Sequence, residues 1–268
     1  MYPIIKKQKL AEDIYLMQVK APAAAKNAKP GQFVILQIHE KGERIPLSIA
    51  DFDRNSITVI FSVVGKSTQE LAKLKKGNAL AHFAGPLGNP TEIMEFGTVC
   101  LVGGGFGAAP LYTIAKAMKK AGNKVITIIG SRNKKLLFWE DKLKKESDDL
   151  IVMTNDGSKG GKGFVTDALA QVFKRIRLNL VFTIGPPAMM KEVAKMTKHR
   201  ARTIASLALI MLDGTGMCGS CRVNIGGETK FACVDGPDFN AHAVDWNTVI
   251  KRNKRYEKEE KHACRCIK

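Results

Sequence analysis

The periodicity of the chain changes at Gly97, and this change limits its possible folds more than any other feature. Before it, apolar residues come in short β-branched and aromatic runs, Ile14–Val19, Gly31–Ile38 and Ser56–Val63, separated by Pro, Gly and Asn. With one short helix around Thr68–Leu74, they predict a small antiparallel β-barrel. After it, short apolar runs (Val99–Val102, Val125–Ile129, Leu150–Met153, Leu180–Ile184) alternate with helical stretches such as Leu111–Ala121, which stops at Gly122, and Val165–Ile176. Such alternation predicts a doubly wound parallel sheet over about residues 97–200. Residues 204–240 fit neither pattern: glycines, cysteines and short apolar pieces are too few for a core of their own. From Asp245 the chain reads as helix-like and heavily charged. The expected division is therefore an all-β barrel (1–96), an α/β domain (97–203) and a small cysteine-bearing module with a charged tail (204–268).

Bulk properties exclude several classes. At 268 residues, 45% hydrophobic and 25% charged, the chain can bury a core. No apolar run reaches the roughly 18–20 residues of a membrane span. The segment Met1–Leu16 has neither a signal core nor a small-residue cleavage site. A protein with no membrane association, in the cytoplasm, is expected. The net charge of +18 speaks to solubility and partners rather than fold. It reads as a Lys-rich solvated surface or a docking face for an acidic protein. Nucleic-acid binding is not expected, because the basic stretches lack interleaved aromatics for base stacking.

The cysteines carry the strongest chemical signal. Of six, Cys218, Cys221 and Cys233 fall within 16 positions: the glycine-rich run Asp213-Gly-Thr-Gly-Met-Cys218-Gly-Ser-Cys221 is followed, after eleven intervening residues, by Cys233. Plant-type 2Fe–2S proteins use C-x4-C-x2-C with a distant fourth cysteine; here an aspartate holds the first position. Ferric iron accepts anionic ligands, so Asp213, Cys218, Cys221 and Cys233 are the expected cluster ligands. A zinc site would more often pair two C-x2-C knuckles or recruit histidine. Asp213 also fits a plain Asp-Gly turn. Cys100 reads as a buried small hydrophobe, and Cys264 and Cys266 as unligated tail thiols.

A second signal, Gly103-Gly104-Gly105-Phe106-Gly107-Ala108, follows a strand and opens a helix. Gly103, Gly105 and Ala108 fit G-x-G-x-x-A, which lets a pyrophosphate approach a helix N-terminus. The acidic residue expected some 20 positions on is replaced by Gly130-Ser131-Arg132. Further turns, at Asp156-Gly157 and Gly185-Pro186, also follow strands, where open α/β sheets bind ligands. In the β lobe, Arg44–Ile49 and Gly65–Thr68 read as turns on their residues alone, the second preceding a short helix able to hold a phosphate.

Together these residues resemble the ferredoxin–NADP reductase superfamily, and within it the iron–sulfur flavoprotein subunits of class B dihydroorotate dehydrogenases and NADH-dependent ferredoxin:NADP oxidoreductases. The segments Met211–Gly219 and Asp235–Trp246 resemble the second group more, since dihydroorotate subunits carry Cys where Asp213 stands. The resemblance implies FAD in the barrel, held by Arg44, Pro46, Leu47, Ser48 and Ile49 and by Gly65, Ser67 and Thr68. The superfamily's R-x-Y-S motif is altered, with Leu47 at the aromatic position. It implies NAD(H) in the α/β lobe, at Gly103, Gly105, Gly107, Ala108 and Pro110, at Ser131 and Arg132, and at Asp156, Gly157, Gly185 and Pro186. It further implies an oxidoreductase without a general base, a larger iron–sulfur flavoprotein partner, an acidic ferredoxin as a further partner, and flavin-based electron bifurcation in the complex. Service to a dihydroorotate dehydrogenase is the alternative, and a zinc-stabilised nucleotide binder without redox role the second.

Overall fold

The computed structural model describes residues 1–256 and 259; Cys264 and Cys266 lie outside the described residues. Seven strands, β1 (Tyr2–Ala11), β2 (Ile14–Lys20), β3 (Phe33–Gln37), β4 (Arg44–Phe52), β5 (Ser56–Ser62), β6 (Ala79–Leu80) and β7 (His82–Leu87), pair antiparallel in the order β6-β1-β2-β5-β4-β3-β7. The edge strands β6 and β7 are separated only by Ala81, so the sheet curls until its edges meet, a nearly closed barrel that leaves little free edge. Helices α1 (Pro22–Asn27) and α2 (Lys66–Lys73) lie in its connections.

Two faces of the same strands are buried. Met17, Val19, Val34, Leu36, Ile49, Ile57, Val59 and Phe61 fill the barrel. Ile14, Leu16, Ala50 and Ile60 point the other way, into a core shared with the α/β lobe. This is why β5 reads as a continuous apolar run rather than an alternating one.

The α/β lobe contains β8 (Thr98–Gly104), α3 (Ala108–Lys120), β9 (Lys124–Ser131), α4 (Glu140–Lys145), β10 (Asp149–Thr154), β11 (Gly161–Lys162), α5 (Val165–Arg175), β12 (Leu180–Ile184), α6 (Pro187–Thr197) and β13 (Arg202–Ser206). Beyond it lie the hairpin β14 (Arg222–Ile225) and β15 (Glu228–Phe231), then β16 (Asp238–Asn240) and α7 (Trp246–Asn253). The second sheet runs β11-β10-β9-β8-β12-β13-β16, parallel throughout except where β16 adds antiparallel to β13. The expected doubly wound sheet is present, with its switch point between β8 and β12. Cys100 is fully buried in β8, as expected.

Three local expectations change. Strand β1 carries Lys6, Lys7 and Lys9 and leaves most of its residues partly or fully exposed, so no apolar pattern announces it. Arg44–Ile49, read as a turn, is the first part of β4. Its Pro46 is tolerated because β5 pairs only with Ile49–Phe52, so at Pro46 the strand has a neighbour on the β3 side alone. The parallel strand Arg202–Ser206 was not foreseen, and it crosses residue 203.

Residues 204–253 build no independent core. Cys221, Val223, Cys233, Phe239, Trp246 and Val249 share one apolar cluster with Phe33 and Ile35 of the barrel and with Met190 and Ala194 of the α/β lobe.

Candidate redox site between the lobes

A cavity of about 1010 Å³ opens where the three parts meet. Arg44, Pro46, Leu47 and Ser48 of β4 line it, with Gly65, Ser67 and Thr68 at the start of α2. From the other side come Ile184, the stretch Ser206–Asp213, Cys218 and Pro237. The expected flavin-segment residues are thus gathered at one place, with one exception. Ile49 is fully buried in the barrel core, because alternation along β4 turns it away from Ser48. Thr68 caps its own helix: its hydroxyl accepts from Val64 N–H and Gly65 N–H, each at 3.0 Å. The Ser67 hydroxyl donates to the Glu43 carboxylate. A cavity of this size, with apolar walls (Leu47, Leu207, Leu209), Arg44 at its edge and a capped helix start, suits a dinucleotide with a flat ring system.

The other nucleotide residues lie along one edge of the second sheet. Gly104 is in register with Gly130, Ser131 with Thr154, and Ile184 with both Gly103 and Ser206. The turns after these strands, carrying Gly105, Arg132, Asp156-Gly157 and Gly185-Pro186, therefore all open on the same side. The glycines differ in what they do. A Cβ on Gly107 would sit 2.0 Å from the Ile184 carbonyl oxygen, so this glycine lets β12 approach the turn. Gly105, at φ +55°, faces open space and leaves its side free for a ligand. Ala108 and Pro110 are buried in the first turn of α3 and shape the turn rather than face a ligand. Asp156 accepts from Ser158 N–H at 2.9 Å, and its bonds to Ser158 hold its carboxyl below the usual range. Ser131 donates to Asn133 O at 2.7 Å, and Arg132 is exposed.

The four expected cluster ligands occupy one loop-and-hairpin unit. The Cys221 and Cys233 sulfurs touch at 3.2 Å, both buried, and are not bonded as a disulfide. Burial, with the Cys221 thiol alongside, pushes the Cys233 thiol up to about 12. Cys218 is exposed and its sulfur accepts from Ser220 N–H at 3.4 Å. Asp213 accepts from Thr215 N–H and Cys218 N–H, each at 2.6 Å, and these bonds hold its carboxyl below the usual range. Among the described residues, no three such groups converge as closely as a single metal ion requires. The donor set nonetheless fits a cluster of several atoms: a thiol pair, a third thiol, an anionic carboxylate and backbone N–H groups on one loop. Metal charge would remove the thiol protons that burial retains.

Sequence reasoning missed three contributors: the cavity wall Ser206–Met211, the buried carboxyl of Asp238, and the arginines around Ser220. The first had a weak signal in the apolar run Leu207–Leu212; the other two had none, since they depend on tertiary contacts.

Residues 101–195 match the oxidoreductase NAD-binding domain, and residues 209–245 the iron–sulfur cluster binding domain of dihydroorotate dehydrogenase B. The barrel, the parallel sheet and the cysteine loop thus define an NAD-binding, iron–sulfur-binding oxidoreductase chain. A Thermotoga maritima homologue of the dihydroorotate dehydrogenase B (NAD(+)) electron transfer subunit is 47% identical over 261 residues, covering 96% of this chain and 92% of that protein. The Fusobacterium nucleatum electron transfer subunit itself is 36% identical, covering 88% and 94%. A chain from the NADH-dependent reduced ferredoxin–NADP oxidoreductase structure, solved to study flavin-based electron bifurcation, superposes with a TM-score of 0.95 at 45% identity, covering 100% of this chain and 98% of that one. The chain belongs to the family of iron–sulfur electron-transfer subunits that these proteins represent. Among the described residues, no helix is long and apolar enough to cross a membrane.

Proposed function

We propose that this chain carries electrons between NAD(H), an FAD in the cavity between the lobes, and a 2Fe–2S cluster on the Asp213–Cys233 unit, as the smaller subunit of an NADH-dependent ferredoxin:NADP oxidoreductase. In this reading residues 1–96 hold the flavin, 97–203 the nicotinamide nucleotide and 204–268 the cluster. One observation supports it most: the expected flavin segments and two expected cluster ligands, Asp213 and Cys218, line a single cavity. The cofactors supply the hydride and one-electron chemistry, and the flavin converts between pairs and single electrons. The chain's own residues orient and insulate. Gly105 and the turns at Gly157 and Gly185 offer backbone to a pyrophosphate, and Arg44 and the start of α2 face the cavity edge. Leu207, Leu209 and Met211 line the cavity alongside Asp213 and would exclude water from it. No side chain is assigned as general base.

Around Cys218 the surface is apolar and open. Met217 is 89% exposed, and Leu212 and Val234 are also exposed, as suits a face covered by a larger iron–sulfur flavoprotein subunit. An acidic ferredoxin meeting the basic surface belongs to the same proposal. Anaerobically purified protein should contain iron, labile sulfide and FAD, and should reduce artificial acceptors with NADH. It should reduce NADP with ferredoxin only when the partner is present. Coupled activity from this chain alone would overturn the assignment. The dihydroorotate alternative is favoured by the match at residues 209–245; co-purification with a dihydroorotate-oxidising partner would establish it instead.

A further inference from the structure

Three guanidinium groups converge on the two residues between Cys218 and Cys221. Arg252, in the last turn of α7, donates to Ser220 O at 3.0 Å. Arg255, just past the helix, donates to the same oxygen at 3.2 Å and to Ser220 Oγ at 2.5 Å. Arg222, the first residue of β14, donates to Gly219 O at 3.3 Å. Among the described residues none of the three forms an ion pair, although the surface offers several elsewhere. Three like charges are thus gathered on one short loop. The mutual repulsion is felt: burial, then Arg222 and Arg255, lower the proton affinity of Arg252, while the Cys221 thiol acts in the opposite direction.

Holding like charges this close costs stability, and the surrounding contacts keep the group in place. Helix α7 is anchored by Val249, which is 1% exposed, and by Trp246, whose indole N–H donates to Ala241 O at 3.0 Å. The arginines act on the two peptide groups that join Gly219, Ser220 and Cys221. The Gly219–Ser220 peptide gives its oxygen to Arg222 and its N–H to the Cys218 sulfur. Drawing charge toward the oxygen makes that N–H a stronger donor to sulfur. The Ser220–Cys221 peptide is polarised in the same sense by Arg252 and Arg255.

We infer that Arg222, Arg252 and Arg255 are positioning residues that fix the Cys218–Cys221 loop and raise the reduction potential of the centre it ligates. The inference rests on the iron–sulfur reading above. One electron, delivered by reduced flavin or in vitro by dithionite, lowers the net charge of the centre by one, with no bond broken and no proton required. Nearby cations and N–H donors to sulfur favour that reduced, more negative state. Asp213 and Asp235 are engaged with backbone N–H groups of their own loops, Glu228 pairs with Lys230, and Asp245 caps α7.

The test is an anaerobic redox titration of the intact protein, followed by the electron paramagnetic resonance signal of the reduced cluster. In the Arg252→Gln/Arg255→Gln double variant, the reduced-to-oxidised ratio at fixed potential should fall about tenfold, equivalent to ~59 mV for one electron. Arg252→Lys/Arg255→Lys keeps both charges and should stay near the wild-type ratio. Arg222→Gln, an exposed position with a single backbone contact, should shift the ratio the same way by a smaller factor. It decides the matter if the double variant loads no iron. An unmoved ratio in the cluster-bearing Gln variants, or a Lys pair falling as far as the Gln pair, would overturn the inference. Wild-type protein lacking iron and labile sulfide would instead sink the reading beneath it.

Discussion

Asp238 offers a sharp test of how this fold holds together at the cavity wall. Its Oδ2 accepts from the Thr91 hydroxyl at 2.6 Å, while Oδ1 is buried without a partner. The residue as a whole retains some exposure, but the carboxyl does not share it. Burial, opposed by the Thr91 and Ser206 hydroxyls, raises its pKa from 3.8 to about 6. Between those values the folded chain binds the proton that the unfolded chain has released. Its contribution is therefore fully present below about pH 4 and is lost as pH rises through 6. At 1.36 kcal/mol per tenfold step, the loss is about 3 kcal/mol. Asp238→Asn removes it. Asp53, Asp156, Asp213 and Asp245 sit below the usual range through local hydrogen bonds and pull the opposite way, but they are common to both proteins and cancel. The assay is urea unfolding in a Trp139→Phe background, leaving Trp246, in the same apolar cluster as Phe239, as reporter. The stability of D238N relative to its parent should rise by ~3 kcal/mol from pH 4 to 7.5. A gap that does not change with pH, or one that moves the other way, would refute the argument.

Other substitutions test other parts. Gly107→Ala forces a methyl group against the Ile184 carbonyl; displacing the turn should weaken NADH binding by roughly tenfold or more, measured by fluorescence titration. Asp213→Ala deletes the bonds to Thr215 and Cys218 N–H. Cluster retention against a chelator should fall by about 10- to 100-fold, and Asp213→Cys should restore it. Lys142 lies 4.2 Å from the Trp139 ring centre, 4.6 Å from that of Tyr112 and 3.2 Å from Asp51 of the barrel. Its exposure limits the cost of Lys142→Ala to about 1 kcal/mol in denaturant unfolding.

What the sequence reveals here depends on whether a signal is local. Leu180–Ile184 is identified as a strand to the residue, and Val165 opens its helix as expected, because short apolar runs and caps are properties of neighbours in sequence. The cysteine spacing is legible for the same reason. Strand β1 carries no apolar pattern because Lys6 and Lys9 are exposed, and its place is set by pairing with β2 and β6. Arg44–Ile49 carries a proline, which a central strand excludes, and only the three-dimensional pairing shows that its missing N–H falls where β4 has no β5 neighbour. Asp238, Arg252 and Arg255 gain their properties from contacts across 32 to 147 positions of sequence, which no window reports.

The absence of an independent core in residues 204–253 also bears on function. Electron transfer between a flavin and a cluster requires a separation that does not drift. A cysteine module on a flexible tether would vary it. Here the module's apolar side chains pack in one cluster with Phe33 and Ile35 from the barrel and Met190 and Ala194 from α6. Its strand β16 completes the nucleotide sheet beside β13. The ends of the loop carrying Cys218, at Met211 and Cys221, therefore cannot shift away from the cavity without opening a core shared by all three parts. Close-packed interiors resist such opening. The small size of the module, which denies it stability of its own, is what ties its position to the two lobes.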